Sequence, residues 1–148
     1  MYEAPIEDYK FVIDHVIGLD QLMANTGHDD ISIDLVEAVL SESGKLATDM
    51  IAPLNHSGDK AGAKRHDDSS VTTPVGFVDA YAAMAEGGWT SMEAREEFGG
   101  QNLPMVLTTA VNEFWQAANM AFALCHLLTQ GQIYALQKSA SPEHQKLF

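Results

Sequence analysis

Apolar residues recur every three or four positions along most of this chain. Nowhere do they hold the strict period of two that a half-buried strand requires. The clearest stripe runs through Val36, Val39, Leu40, Ser43, Leu46, Ala47, Met50, Ile51 and Leu54. It predicts a helix of about twenty residues, roughly 30 Å long. Asp30 or Ser32 stands where a cap is needed, each able to accept from the free N–H groups of a first turn. Pro53 fits the end of the stripe, because the residue before a proline leaves the α region. Upstream, Ile6, Phe11, Val12, Val16 and Ile17 predict a shorter helix with Pro5 at its first position. Gly18 and the Asn25-Thr26-Gly27 cluster break that pattern.

Downstream, residues 55–73 are polar and read as a surface loop. In it Lys60, Lys64 and Arg65 stand beside Asp67 and Asp68, a mixture that reads as a solvated connection. Thr73-Pro74 opens a helix carrying Phe77, Val78, Tyr81, Met84 and Ala85, stopped by Gly87-Gly88. Ser91 caps a turn that ends at Gly99-Gly100. From Pro104 the pattern is helical almost to the end. Leu107, Val111, Phe114 and Trp115 form one stripe, and Phe122, Leu124, Leu127, Leu128 and Ile133 continue it. The Gln116-Ala117-Ala118-Asn119 step reads as a joint between two helices. Ser141-Pro142-Glu143 marks one more helix start. The expected fold is all-α, a bundle of five to six helices. Residues 1–30 are expected to be an extension with a short helix, and residues 31–148 the main helical domain.

Composition narrows the partners. A chain of 148 residues suits one domain that buries roughly 68–70% of its unfolded surface. Its 21 Asp and Glu outweigh 8 Lys and Arg, for a net charge of −13. Such a field repels phosphate backbones and anionic bilayers, so neither nucleic acid nor a membrane surface is an expected partner. The longest apolar run, Met120 to Cys125, covers six residues, far short of the roughly 20 a membrane span needs. Cys125 is the only cysteine, so no intrachain disulfide forms and a reducing cytoplasm is the expected compartment. Met1 to Pro5 lacks the basic start and apolar core of a signal peptide.

The chemistry visible in single residues is sparse. A di-iron bundle wants Glu-x-x-His pairs. The residues three places before His15, His28, His56, His66, His126 and His144 are Val12, Asn25, Pro53, Ala63, Ala123 and Ser141. No such pair exists, and a lone cysteine builds no thiolate zinc site. Cys125 and His126 are adjacent on a helix, so their side chains diverge by about 100° and form no catalytic couple; His126 reads as packed in a core. Neither Gly87-Gly88 nor Gly99-Gly100 matches a phosphate-binding loop. Both read as helix terminators.

One resemblance goes further. Thr72-Thr73-Pro74-Val75-Gly76-Phe77, Gly88-Trp89-Thr90 and Glu97-Phe98-Gly99-Gly100-Gln101-Asn102-Leu103-Pro104 resemble the N-terminal part of acyl-CoA dehydrogenases. So do Ala118 to Ala123, Leu127 to Gly131, and Ser141-Pro142-Glu143-His144-Gln145-Lys146. Tyr2 to Pro5 and Tyr9 to Val12 resemble the N-terminal extension of the longer members, a subgroup similar to methylthiopropanoyl-CoA dehydrogenases. The chain departs from the usual motif at Asn102 and Ser141, where the family usually has glycine. Asparagine tolerates the left-handed conformation that such a turn demands.

The resemblance implies a parent of three domains, an N-terminal helical one, a middle β-domain and a C-terminal helical bundle. In such enzymes a glutamate of the last bundle removes the α-proton of an acyl thioester, and the β-hydrogen leaves as hydride to flavin. This chain resembles the first domain alone. It is expected to carry no catalytic residue, to bind no FAD by itself and to be inactive as a fragment; FAD belongs to the intact parent. Leu124, Cys125, Leu128 and Gln132 are the implied wall of the acyl and flavin pocket, and their spacing places them on one helical face. Those positions read equally well as domain core. The implied partners are the acyl-CoA substrate and the remaining dehydrogenase domains, or a second copy through self-association. The competing expectation is a freestanding helical interaction or oligomerisation module without catalysis.

Overall fold

A computed structural model describes residues 2–147. The architecture is all-α, with seven α-helices among those residues and a single two-stranded ribbon. Helix α1 (Ile6–Phe11) runs directly into a π-helical segment, Val12–Ile17, and α2 spans Leu19–Thr26. Helix α3 (Ile33–Leu46) likewise continues as a π-helical segment, Ala47–Ile51, before α4 (Leu54–Ala61). The ribbon pairs β1 (Lys64–Arg65) with β2 (Val71–Thr72) in antiparallel register, Lys64 opposite Thr72. Helix α5 (Phe77–Glu86), two 3-10 turns (Trp89–Ser91 and Glu96–Phe98), the long α6 (Met105–Ser139) and α7 (Pro142–Leu147) complete the chain.

Helix α3 forms where the apolar stripe predicts. Ser32 is extended and its side-chain oxygen accepts from the Leu35 N–H at 3.3 Å, so Ser32 rather than Asp30 is the cap. Val36, Leu40, Ser43, Ala47 and Ile51 are buried along one face, which packs mainly on α6. The expected helix forms, from the Ser32 cap through α3 and the π-helical segment to Ile51. Ala52 nevertheless keeps helical angles, φ −60° and ψ −41°, so Pro53 does not turn the chain out of the α region. It instead begins α4, where a missing N–H costs nothing. The stretch expected to be loop after residue 54 therefore opens with two helical turns, and it closes with the short ribbon.

Helix α2 is the second departure. Gly18 adopts φ 81° and ψ 79°, a left-handed conformation that glycine takes without steric penalty. That residue ends the first helix and redirects the chain into another, with Leu19 and Met23 buried in the common core. The N-terminal residues are held to the rest of the protein by Tyr9, whose ring meets Phe114 edge-on at 4.9 Å. Burial, then a hydrogen bond to the Glu113 side chain, raises the Tyr9 phenol above its ordinary pKa. Lys10 bridges to Glu37 of α3 at 2.9 Å.

Candidate functional site

The glycine-rich connection between α5 and α6 sets the geometry of the helix behind it. Leu103 N–H donates to Met92 carbonyl at 2.8 Å, Asn102 N–H to Ala94 carbonyl at 2.9 Å, and Gln101 Nε2 to Gly88 carbonyl at 2.9 Å. The loop is thus laced to the turn before it. Gly100 sits so close to the Ala94 carbonyl that a Cβ there would overlap it, so that position admits no side chain. Asn102 takes φ 49°, the left-handed conformation expected for it. Pro104 then opens α6, its carbonyl accepting from Leu107 and Thr108 N–H groups.

Helix α6 is a hairpin of two arms. Asn119 is extended, at φ −162° and ψ 93°, inside an otherwise helical run. Asn112 Nδ2 nevertheless donates to Gln130 Oε1 at 2.9 Å, and the Trp115 and His126 rings meet at 5.3 Å. A straight helix would hold residues 112 and 130 about 27 Å apart, so the arms 105–118 and 120–139 fold back antiparallel. Asn119 itself caps the second arm, its Oδ1 accepting from Phe122 N–H at 3.2 Å. The expected joint at residues 116–119 is where this reversal occurs.

The second arm has two distinct faces. Phe122, Ala123, His126 and Gln130 point inward and are buried. Phe122 packs edge-on against Phe77 of α5 at 5.6 Å, and Trp115 sits between His126 and Trp89. His126 is 1% exposed and neither ring nitrogen has a hydrogen-bond partner among the described residues. Burial lowers its pKa to about 4. It is a core residue, as expected.

The opposite face carries all four residues of the expected pocket wall. Leu124 is 49% exposed and Leu128 75%; Cys125 and Gln132 are also exposed. These four therefore do not belong to the core of the chain, and that alternative falls. The stripe expected to continue inward through Leu124, Leu127 and Leu128 turns outward instead, because the reversal at Asn119 resets which side of the helix meets the first arm. Met120, 59% exposed, extends the outward face at its start.

Beside this face lies a groove of about 820 Å³ between α4, α5 and the second arm. Phe77, Val78, Tyr81 and Phe122 supply its apolar lining, and Cys125 stands at its border with the outward face. Sequence reasoning did not find this groove, because α4, one of its walls, was expected to be loop. His56 and Asp59 add polar groups from that helix. The outward face itself offers aliphatic side chains, one thiol and one amide. Such a set shapes and dries a ligand surface, and it contains no charge with which to move a proton.

An all-helical domain with a glycine-laced lead into a helical hairpin, and an uncovered apolar face on the second arm, defines the class of protein. Residues 38–148 match the family described as acyl-CoA dehydrogenase, N-terminal domain, and the chain belongs to that family. It is 39% identical over 147 residues to a 3-methylmercaptopropionyl-CoA dehydrogenase of Ruegeria pomeroyi, covering 99% of this chain and 25% of the relative. A broad-specificity linear acyl-CoA dehydrogenase, FadE5, of Mycobacterium tuberculosis is 28% identical over 124 residues, 81% of this chain and 20% of the relative. A butyryl-CoA dehydrogenase of Syntrophomonas wolfei is 26% identical over 150 residues, 99% of this chain and 24% of the relative. The chain spans a quarter or less of the length of these curated relatives. No helix among the described residues is long and apolar enough to cross a membrane.

Proposed function

We propose that this chain serves as the N-terminal α-domain of an FAD-dependent acyl-CoA dehydrogenase, an enzyme that introduces an α,β double bond into acyl-CoA thioesters. The observation that carries the reading is the outward face of the second arm. Leu124, Cys125, Leu128 and Gln132, the positions implied as pocket wall by resemblance, are exposed together on it. An apolar face of this extent is unusual unless something covers it. In this reading the face closes one side of the acyl and flavin pocket when the other dehydrogenase domains dock. Residues 1–30 act as an extension and residues 31–148 as the domain proper.

The four residues fit a flavin's edge or an acyl chain in kind. Leu124 and Leu128 give dispersion contact, and the Gln132 amide offers a donor and an acceptor. The flavin, when bound, supplies the hydride acceptor. The chain's own contribution is to orient the acyl group and exclude water, and the base that takes the α-proton lies outside residues 1–148. Cys125 is an exposed free thiol, which suits a reducing compartment, and a cytoplasmic setting is part of the same proposal.

The test is direct. The purified 148-residue chain should show no stoichiometric flavin absorbance and no enoyl-CoA formation from straight-chain or methylthio acyl-CoA substrates. In a complete dehydrogenase carrying this domain, Leu128→Asp should lower kcat/KM about 100-fold or more while the isolated domain keeps its fold. Flavin-dependent turnover by the isolated chain would sink the proposal. A complete enzyme indifferent to Leu128→Asp would count equally against it and favour a helical module without a catalytic role.

A further inference from the structure

Four side-chain nitrogens are closed to solvent and have no hydrogen-bond partner among the described residues: Asn119 Nδ2, Nδ1 and Nε2 of His126, and Gln130 Nε2. Their residues are buried, at the bend of α6 and along the inward side of its second arm. Buried polar groups without partners are rare in folded proteins, and each calls for an explanation. Turning the side chains round supplies none. Asn119 Oδ1 accepts from Phe122 N–H at 3.2 Å, which fixes that amide. Gln130 Oε1 accepts from Asn112 Nδ2 at 2.9 Å, and reversing both amides would orphan Gln130 Oε1 in place of Nε2. Either tautomer of His126 leaves one donor and one acceptor nitrogen.

Position and chemistry together select an occupant for this seam. His126 and Gln130 are four residues apart on one helix, so their β-carbons stand about 5–6 Å from each other. One small molecule can touch both. Asn119 lies about two turns away, beyond reach of the same molecule. A substrate or the side chain of a docked domain is shut out, because these atoms are closed to the surface. A cation would find mainly N–H donors, and an anion would have to enter a chain of net charge −13. What remains is a neutral molecule that accepts and donates at once.

We infer that one ordered water is held inside the α6 hairpin, hydrogen-bonded to a ring nitrogen of His126 and to the free amide atom of Gln130. Gln130 carries the link on to Asn112, so the water ties the second arm to the first. It thereby holds the arm at the rotation that turns His126 and Gln130 inward. A single water satisfies the neutral imidazole without replacing the hydration an imidazolium needs. The site lies in the interior of the hairpin and does not rest on the role proposed for the outward face.

Nuclear Overhauser measurements on the isotope-labelled 148-residue chain at pH 7 test the inference. Cross peaks should join the water signal to the His126 ring protons and to the Gln130 side-chain amide protons. Their laboratory-frame and rotating-frame signs should be opposite, the mark of a water that tumbles with the protein. Gln130→Met keeps the length of the side chain and removes its amide, and it should abolish the peak at His126. His126→Phe should likewise abolish the peak at Gln130. A folded native chain with no water peak at either residue overturns the inference. So does a His126 peak that survives unchanged in folded Gln130→Met. If circular dichroism shows both variants unfolded, a crystal structure of the native chain decides instead. One oxygen within about 2.7–3.2 Å of both side chains supports the bridge, and a seam filled by protein atoms, or occupied by a halide after a bromide soak, overturns it.

Discussion

His126 shows how one buried side chain ties stability to pH. Its imidazole lies 1% exposed against Trp115, with no partner for either nitrogen among the described residues. Burial therefore favours the neutral form and lowers its pKa from 6.5 to about 4. As pH falls below 6.5 the unfolded chain takes up the proton first, so the native state loses stability. The loss begins near pH 6.5 and levels off below pH 4, reaching about 3 kcal/mol. Above pH 6.5 this group's contribution is fully present. Urea midpoints measured between pH 7 and pH 4 should fall more steeply for the native sequence than for His126→Phe, which keeps a ring in the site and removes the proton. Parallel curves would show that the imidazole remains solvated. The core placement of His126 was legible from its apolar helical neighbours. The absence of any partner was not, because hydrogen-bond geometry depends on which residues the folded chain brings alongside.

At the scale of elements, the caps expected at Ser32 and Ser141 formed. Ser91 caps no turn, its hydroxyl donating instead to the Gly88 carbonyl at 3.4 Å, and the connections carried the other surprises. Ser32 and Ser141 each accept from an N–H three residues on, Leu35 and His144, which is the local chemistry a reader of sequence can anticipate. Helices α2 and α4 escaped for the same reason. Each is eight residues long and is bounded by glycine or proline, residues that punctuate loops and helices alike. Only tertiary contact decides for such short segments. Burial of Leu19 and Met23 decides for α2, and α4 packs on α6. Asn119 carries the larger consequence, since its extended backbone turns one helical pattern into a hairpin. Its Oδ1 caps the second arm at Phe122 N–H. Asn119→Ala should cost about 1 kcal/mol through the lost cap, and Asn119→Ser should recover most of it. Thermal unfolding of the three proteins measures this. If Asn119→Ala melts with the native sequence, the hairpin is held by packing alone.

For the whole molecule, the reversal at Asn119 determines what is left uncovered. With Phe122, His126 and Gln130 turned inward, Met120, Leu124 and Leu128 must face outward. A sequence stripe that is apolar on two sides of a helix signals two neighbours, and the described chain provides only one. That is why the periodicity placed Leu124 and Leu128 correctly on a shared face but could not say whether the face was core or surface. The distinction has a physical signature. Exposed leucines contribute little to the stability of the chain that carries them, since folding removes little of their area from water. Leu124→Ser with Leu128→Ser should therefore shift the unfolding free energy by no more than about 1 kcal/mol. The same pair should sharply reduce binding of a dye that reports apolar surface, and should lower any tendency of the isolated chain to associate. A buried pair would behave oppositely, with a loss of about 2–5 kcal/mol for each leucine truncated. Calorimetry and dye titration on one preparation separate the two cases. A large destabilisation with unchanged dye binding would place these leucines inside the domain and remove the surface on which the pocket-wall role rests.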